Sequence, residues 1–148
     1  MPHFGLMDAT KMTEADAALL RVRLHIRGGR QRFERGMLAA GSASLYDALG
    51  YAMRWYLSFP EHRARLDVIG DEDFRDDASL FAVLARGGVI SDSFDFGAFE
   101  CLVERSLDDE SFQFDAPRVL AQIENVMTDL EVMPFDEAAL PPEKPGAL

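Results

Sequence analysis

One apolar register constrains this chain more than any other feature. Leu19, Val22, Ile26, Gly29, Phe33 and Met37 recur at spacings of three and four residues, which places them on one face of an α-helix. Just upstream, Thr13-Glu14-Ala15-Asp16 supplies a hydroxyl cap and first-turn acids, where the helix dipole favours them. Gly28-Gly29 lies inside the pattern and costs about 1 kcal/mol per glycine relative to alanine. Either the helix bends there or Gly29 admits a close neighbour. The register crosses the pair without a slip, which favours one continuous helix.

Similar patterns follow downstream. Gly36, Gly41 and the small residues from Met37 to Ser44 read as a turn between antiparallel helices, with Ser42 or Ser44 capping the second. Leu45, Leu49, Ala52 and Tyr56 form the stripe of that helix, and Phe59-Pro60 ends it. A loop from Glu61 to Asp73 leads to a helix over roughly 74–86, with Leu80, Phe81 and Leu84 inward and Gly87-Gly88 as its stop. Ser93 or Asp95 caps a helix holding Phe99, Leu102 and Val103. Asp115 caps the last, with Pro117 in its first turn and Leu120, Ile123, Met127 and Leu130 inward. Strand-like alternation is almost absent. The expected fold is therefore all-α: an antiparallel bundle of about five helices.

The domain expectation is a flexible N-terminus over 1–12, the bundle over 13–133, and a Pro-rich tail over 134–148. The tail is expected to be disordered or laid over the surface. At 148 residues and 48% hydrophobic side chains, the chain can bury a core without metals or disulfides.

Charge narrows the partner classes. Fifteen Lys+Arg against 26 Asp+Glu leave a net charge of -11, which argues against a general DNA or anionic-membrane binder. The distribution is uneven: residues 1–66 carry ten bases and six acids, and residues 67–148 carry five bases and twenty acids. Such halves attract each other within a domain or across an oligomer. The longest run without a charged residue, Gly36 to Tyr46, is far short of the ~20 residues a membrane helix needs. The lone Cys101 fits a reducing compartment, and the expected localisation is cytoplasmic. Cys101 itself is expected to be structural, beside Phe99 and Leu102.

Candidate site residues cluster on the first helix. Arg23, Arg27 and Arg30 share one face, with Arg21, Arg32 and Arg35 on a neighbouring row. Together they could grip a phosphate or an acidic partner, or simply pair with acids of the second half. His25 lies one residue off the apolar stripe. The three histidines, His3, His25 and His62, have no helical ligand spacing, so no histidine metal site is expected. The runs Asp71-Glu72-Asp73 and Asp108-Asp109-Glu110 lack the glycine and terminal glutamate of a calcium loop. No cofactor or metal is expected. Tyr46, Met53 and Leu57 extend the apolar surface of the second helix beyond its own stripe and read as a dimer interface.

The stretch Arg32-Phe33-Glu34-Arg35-Gly36 through Leu45-Tyr46-Asp47-Ala48-Leu49-Gly50-Tyr51-Ala52-Met53 resembles the first hairpin of HEPN domains. Leu80-Phe81-Ala82-Val83-Leu84 with Gly88-Val89-Ile90 is similar to that family's later helix and turn. The resemblance implies a four- or five-helix bundle, usually dimeric, of the kind that pairs with a nucleotidyltransferase or belongs to a toxin–antitoxin system. Active members are metal-independent ribonucleases carrying an Arg, four to six residues, then a His. Here Ala18, Leu19 and Leu20 stand at the required positions before His25, and Trp55, Tyr56 and Leu57 before His62. Arg54 is separated from His62 by seven residues, across Pro60. The resemblance thus implies a non-catalytic member.

The functional expectation is a non-catalytic helical interaction domain, homodimeric, with a protein partner such as a nucleotidyltransferase. The alternative is an RNA- or nucleotide-processing enzyme using the Arg-rich first helix and His25.

Overall fold

A computed structural model describes residues 12–66, 74–91 and 93–142. Among these the chain forms α1 (Glu14–Glu34), α2 (Leu38–Leu57), α3 (Pro60–Arg63), α4 (Asp77–Arg86), α5 (Phe96–Asp108) and α6 (Ala116–Asp129), followed by a 3-10 turn at Glu137–Ala139. No strand occurs among the described residues. The bundle is all-α, as expected; the element beyond the expected five is α3, a single turn that starts with Pro60 in its first position.

Local chemistry sets the helix ends. The Asp16 amide donates to Thr13 Oγ1 at 3.0 Å, and Asp76, Asp95 and Asp115 accept in the same way from Ser79, Ala98 and Arg118. Each satisfies one amide that the first helical turn leaves unbonded. Three helices end in the same backbone motif. The Met37 amide bonds Arg32 O at 2.8 Å around Gly36, Val89 bonds Leu84 O at 2.9 Å around Gly88, and Val132 bonds Met127 O at 2.9 Å around Glu131. The residue at each pivot is left-handed, with φ of 76°, 76° and 66°. Glycine takes that conformation without strain; glutamate does not.

Two expectations change here. The turn between the first helices is only Arg35 to Met37, and the segment expected as loop up to Ser44 belongs to α2. Ser42 and Ser44 therefore cap nothing. Ser42 Oγ donates to Ala39 O at 3.0 Å, and Ser44 Oγ donates across to His25 O at 2.8 Å. The run is small because the helices touch there. A Cβ on Gly29 would lie 2.7 Å from Leu45 Cδ2, and one on Gly41 would lie 2.4 Å from Phe33 Cδ1. As expected, α1 continues through Gly28-Gly29 without a break.

α2 is the hub and touches α1, α3, α4, α5 and α6. Its only charged residues are Asp47 and Arg54, so it can be buried on most sides. Tyr46, Phe96, Phe99, Phe94 and Phe81 join α2, α4 and α5 through ring contacts of 5.2–6.1 Å. Of the two arrangements expected for the tail, residues 134–142 take the second. They lie over α1, with Phe135 packed against the core.

Candidate functional site

The arginine face of α1 is built by helical spacing, but its members have different fates. Arg23 donates from Nε (3.2 Å) and Nη2 (3.0 Å) to Val132 O. Burial lowers its pKa from the usual arginine range. Arg30 pairs with Glu124 and Glu137. Burial opposes its charge, but the two carboxylates outweigh that and raise its pKa. The Phe135 ring lies between the pair, 5.2 Å from Arg23 Cζ and 5.9 Å from Arg30 Cζ. So α6 and the tail supply the acids and the aromatic that cover this face. Arg27, between them in sequence, makes no ion pair with the described residues. Beside the covered face, Leu19, Leu20, Arg23, Phe135 and Leu140 line a cavity of about 410 Å³, with Asp16 and Asp136 at its edge.

His25 belongs to the neighbouring row instead. Its Nδ1 lies 2.9 Å from Arg21 O, and since a carbonyl oxygen only accepts, Nδ1–H donates. The ring meets Tyr51 edge-on at 5.3 Å, and the Arg21 guanidinium lies 5.5 Å from the same tyrosine ring. Tyr51 is 39% exposed. The structure therefore separates His25 from Arg23 and Arg30 and joins it to Arg21 and an aromatic of α2.

Of the residues expected to form a dimer surface, Met53 and Leu57 lie inside the chain and Tyr46 is half-buried. Met53 is 0% exposed and Leu57 6%, both in the core. Tyr46 packs on Phe96 and Phe99, and its hydroxyl donates to Glu100 Oε2 at 2.8 Å. Burial first, then Glu100 and Asp77, push its pKa well up. The surface expectation is corrected for Met53 and Leu57, because α2 packs on five helices, while half-buried Tyr46 is engaged with α5. Cys101 is likewise corrected, being exposed on α5.

The apolar surface that remains is elsewhere. Ser42 Oγ lies 3.5 Å from Ser106 Oγ, while Tyr46 reaches Glu100. That register makes α2 and α5 antiparallel and brings the start of α2 and the end of α5 to one end of the bundle. There Met37 is 39% and Leu107 61% exposed. Phe33 meets Phe114 at 5.8 Å, Phe114 meets Phe112 at 5.9 Å, and Arg105 lies 4.4 Å from the Phe112 ring. Sequence reasoning passed over Leu107. The signal was available: Leu107 directly precedes the three acids Asp108, Asp109 and Glu110.

Two further polar clusters tie elements together. Arg54 donates to Asp77 Oδ1 at 2.7 Å, Gly50 O at 3.0 Å and Arg75 O at 2.9 Å. His62 is buried, stacks on Tyr56 at 3.8 Å, and has Nδ1 2.7 Å from Tyr56 O. Its Nε2 faces Glu131 Oε2 at 3.5 Å. Among the described residues no group of three or more His, Cys, Asp or Glu could hold a metal ion. The acidic run Asp71-Glu72-Asp73 lies outside them. No described helix is long and apolar enough to cross a membrane.

No protein-family model matches the chain, and neither does any curated protein or solved structure.

Proposed function

We propose that this chain is a non-catalytic helical interaction domain that pairs with a second copy of itself through the Met37–Leu107 end. The exposure of Leu107 carries the reading. A helix normally turns its leucines inward, and this one stands 61% exposed at the end of the bundle where Met37 is 39% exposed. Charges of opposite sign adjoin the two residues in sequence. Exposed Arg35 closes the α1–α2 turn, and exposed Asp108, Asp109 and Glu110 follow α5. A two-fold pairing sets the basic side of each copy against the acidic side of the other, which makes the surface self-complementary. The resemblance to HEPN domains, with a nucleotidyltransferase-type protein as a further partner, belongs to the same proposal. Its support is the glycine-turned α1–α2 hairpin. A cytoplasmic location rests on the lone Cys101.

Sedimentation velocity at tens of micromolar tests the pairing. The parent is expected to sediment as a dimer, and Leu107→Asp as a folded monomer. A stable specific interface buries more than ~1,000 Å² in total, so one central charge disrupts it. A parent that stays monomeric sinks the proposal.

A second reading, an RNA- or nucleotide-processing enzyme, is supported by the Arg21–His25–Tyr51 cluster. An exposed ring between a guanidinium and an imidazole suits a stacked base and its phosphate. A thermal-shift screen with nucleotides and short RNA at low salt tests it. The parent should gain stability, and Tyr51→Ala should lose that gain; no gain in the parent removes this reading.

A further inference from the structure

The covering of the arginine face is itself informative, because one short segment supplies most of its contacts in a fixed order, with Glu124 of α6 as the other partner of Arg30. Val132 O takes both Arg23 donors, Phe135 lies between Arg23 and Arg30, and Glu137 pairs with Arg30. Ala139 and Leu140 then border the cavity of about 410 Å³. The recognition groups belong to α1. Arg23 and Arg30 stand seven residues apart, two turns along one face. None of the residues of the segment's 3-10 turn is buried, and Phe135 is its contact with the core.

We infer that this face of α1 is a docking groove for an acidic, aromatic-bearing segment of a partner protein, and that residues 134–140 are its resident, self-inhibiting occupant. The seated segment shows the chemistry that fits. It needs an aromatic ring between two guanidiniums, a carboxylate two residues later on Arg30, and an apolar residue five positions after the ring. The groove holds more than its occupant uses. The cavity beside Leu19 and Leu20 has room for a larger apolar group than Leu140 places there. Arg27 has no carboxylate among the described residues. A partner with a bulkier apolar residue and one more acid would gain on both counts. Asp16 lines the cavity with Leu19 and disfavours a second anion there, so the partner's acids lie toward Arg30 and its apolar end toward Leu19.

The resident segment competes in cis at an effective concentration of around millimolar. The test therefore weakens the occupant within the full chain. A labelled peptide of residues 134–142 is titrated against the parent and against the Phe135→Ala/Glu137→Gln variant, with binding read by anisotropy. The variant is expected to bind at least about tenfold tighter than the parent. Adding Arg30→Ala should abolish the binding, and added salt should weaken it. Failure of a folded variant to bind, or binding indifferent to Arg30, overturns the inference. Hydrogen exchange on the unaltered parent gives an independent reading. The amides of Ala138, Ala139 and Leu140, which bond only within the segment, should exchange through a local opening well before those of α6. Exchange only together with α6 would make the segment a fixed part of the fold and overturn the proposal. The inference adds a second face to the interaction-domain reading and does not require self-association. Sedimentation of Leu107→Asp and titration at Arg30 can each fail without the other.

Discussion

Gly29 and Gly41 meet backbone to backbone where α1 crosses α2: a Cβ built on Gly41 would stand 3.2 Å from the Gly29 carbonyl oxygen. The same Cβ would lie 2.4 Å from Phe33 Cδ1, and one on Gly29 would lie 2.7 Å from two atoms of Leu45. Alanine gains about 1 kcal/mol of helix propensity over glycine. Overpacking a filled contact costs about 1–3 kcal/mol. Gly41→Ala and Gly29→Ala are therefore expected to lower the melting temperature by a few degrees. Gly97→Ala should raise it slightly, because the nearest atom to its Cβ is Asp95 Oδ1 at 3.6 Å. Thermal melts of the three variants compare them directly; a stabilised Gly41→Ala would contradict the close crossing.

The arginines of α1 should separate by magnitude. Arg23→Ala strands the Val132 carbonyl, which takes two of its donors, and a lost buried partner costs about 1–3 kcal/mol. Arg30→Ala should be milder, near 1 kcal/mol, because its partners Glu124 and Glu137 are partly exposed and can hydrate. Arg27→Ala should stay within about 0.5 kcal/mol. Denaturant unfolding gives all three values. Equal effects at Arg23 and Arg27 would mean that the tail contact contributes nothing to stability.

Glu131 occupies a left-handed position, φ 66°, with its carboxylate 3.5 Å from His62. Glycine takes that backbone at about 1 kcal/mol less than other residues. The half-exposed contact to His62 contributes less than that. Glu131→Gly is expected to be neutral or stabilising, whereas Glu131→Ala loses the contact and keeps the backbone cost. The two variants should differ by about 1 kcal/mol in unfolding free energy, with glycine the more stable. A Glu131→Gly variant clearly less stable than the parent would show that the His62 contact dominates.

Tyr46 links folding to alkaline pH. Its folded-state pKa is raised, by burial and then by Glu100 and Asp77; Tyr56 is raised too, by burial and then by Glu131. A group raised on folding stabilises fully below its unfolded pKa, about 10 for tyrosine, and that stability is lost as pH climbs through the folded value. Stability should hold up to about pH 10 and fall above it, with phenolate absorbance from Tyr46 and Tyr56 appearing late in the titration. Tyr46→Phe removes the hydroxyl bond to Glu100, so the variant should start less stable and lose less on the way up. Early ionisation of every tyrosine in the folded protein would contradict this.

Much of the fold could be read from local pattern, and the helix stops show why. Thr13, Asp95 and Asp115 cap where expected because capping involves a side chain and an amide three residues away. Gly88 ends α4 for an equally local reason. The start of α2 was misplaced because small residues have two physical meanings. Gly41, Ser42 and Ser44 suit a turn, and they equally suit a helix pressed against another. Which applies depends on Phe33, eight residues before Gly41, and His25, nineteen before Ser44.

The candidate site divides along the same line. Local pattern was enough to specify an all-helical chain, a continuous α1 and the shared face of Arg23, Arg27 and Arg30, because helical periodicity is a property of neighbouring residues. Only the tertiary structure decided that Val132, Phe135 and Glu137 cover that face, that His25 joins Tyr51 instead, and that Met53 is buried while Leu107 is not. Those outcomes depend on contacts between residues as much as 109 positions apart. Burial depends on how many helices surround a face, and a periodic pattern records which side of a helix is apolar without recording how many neighbours share it.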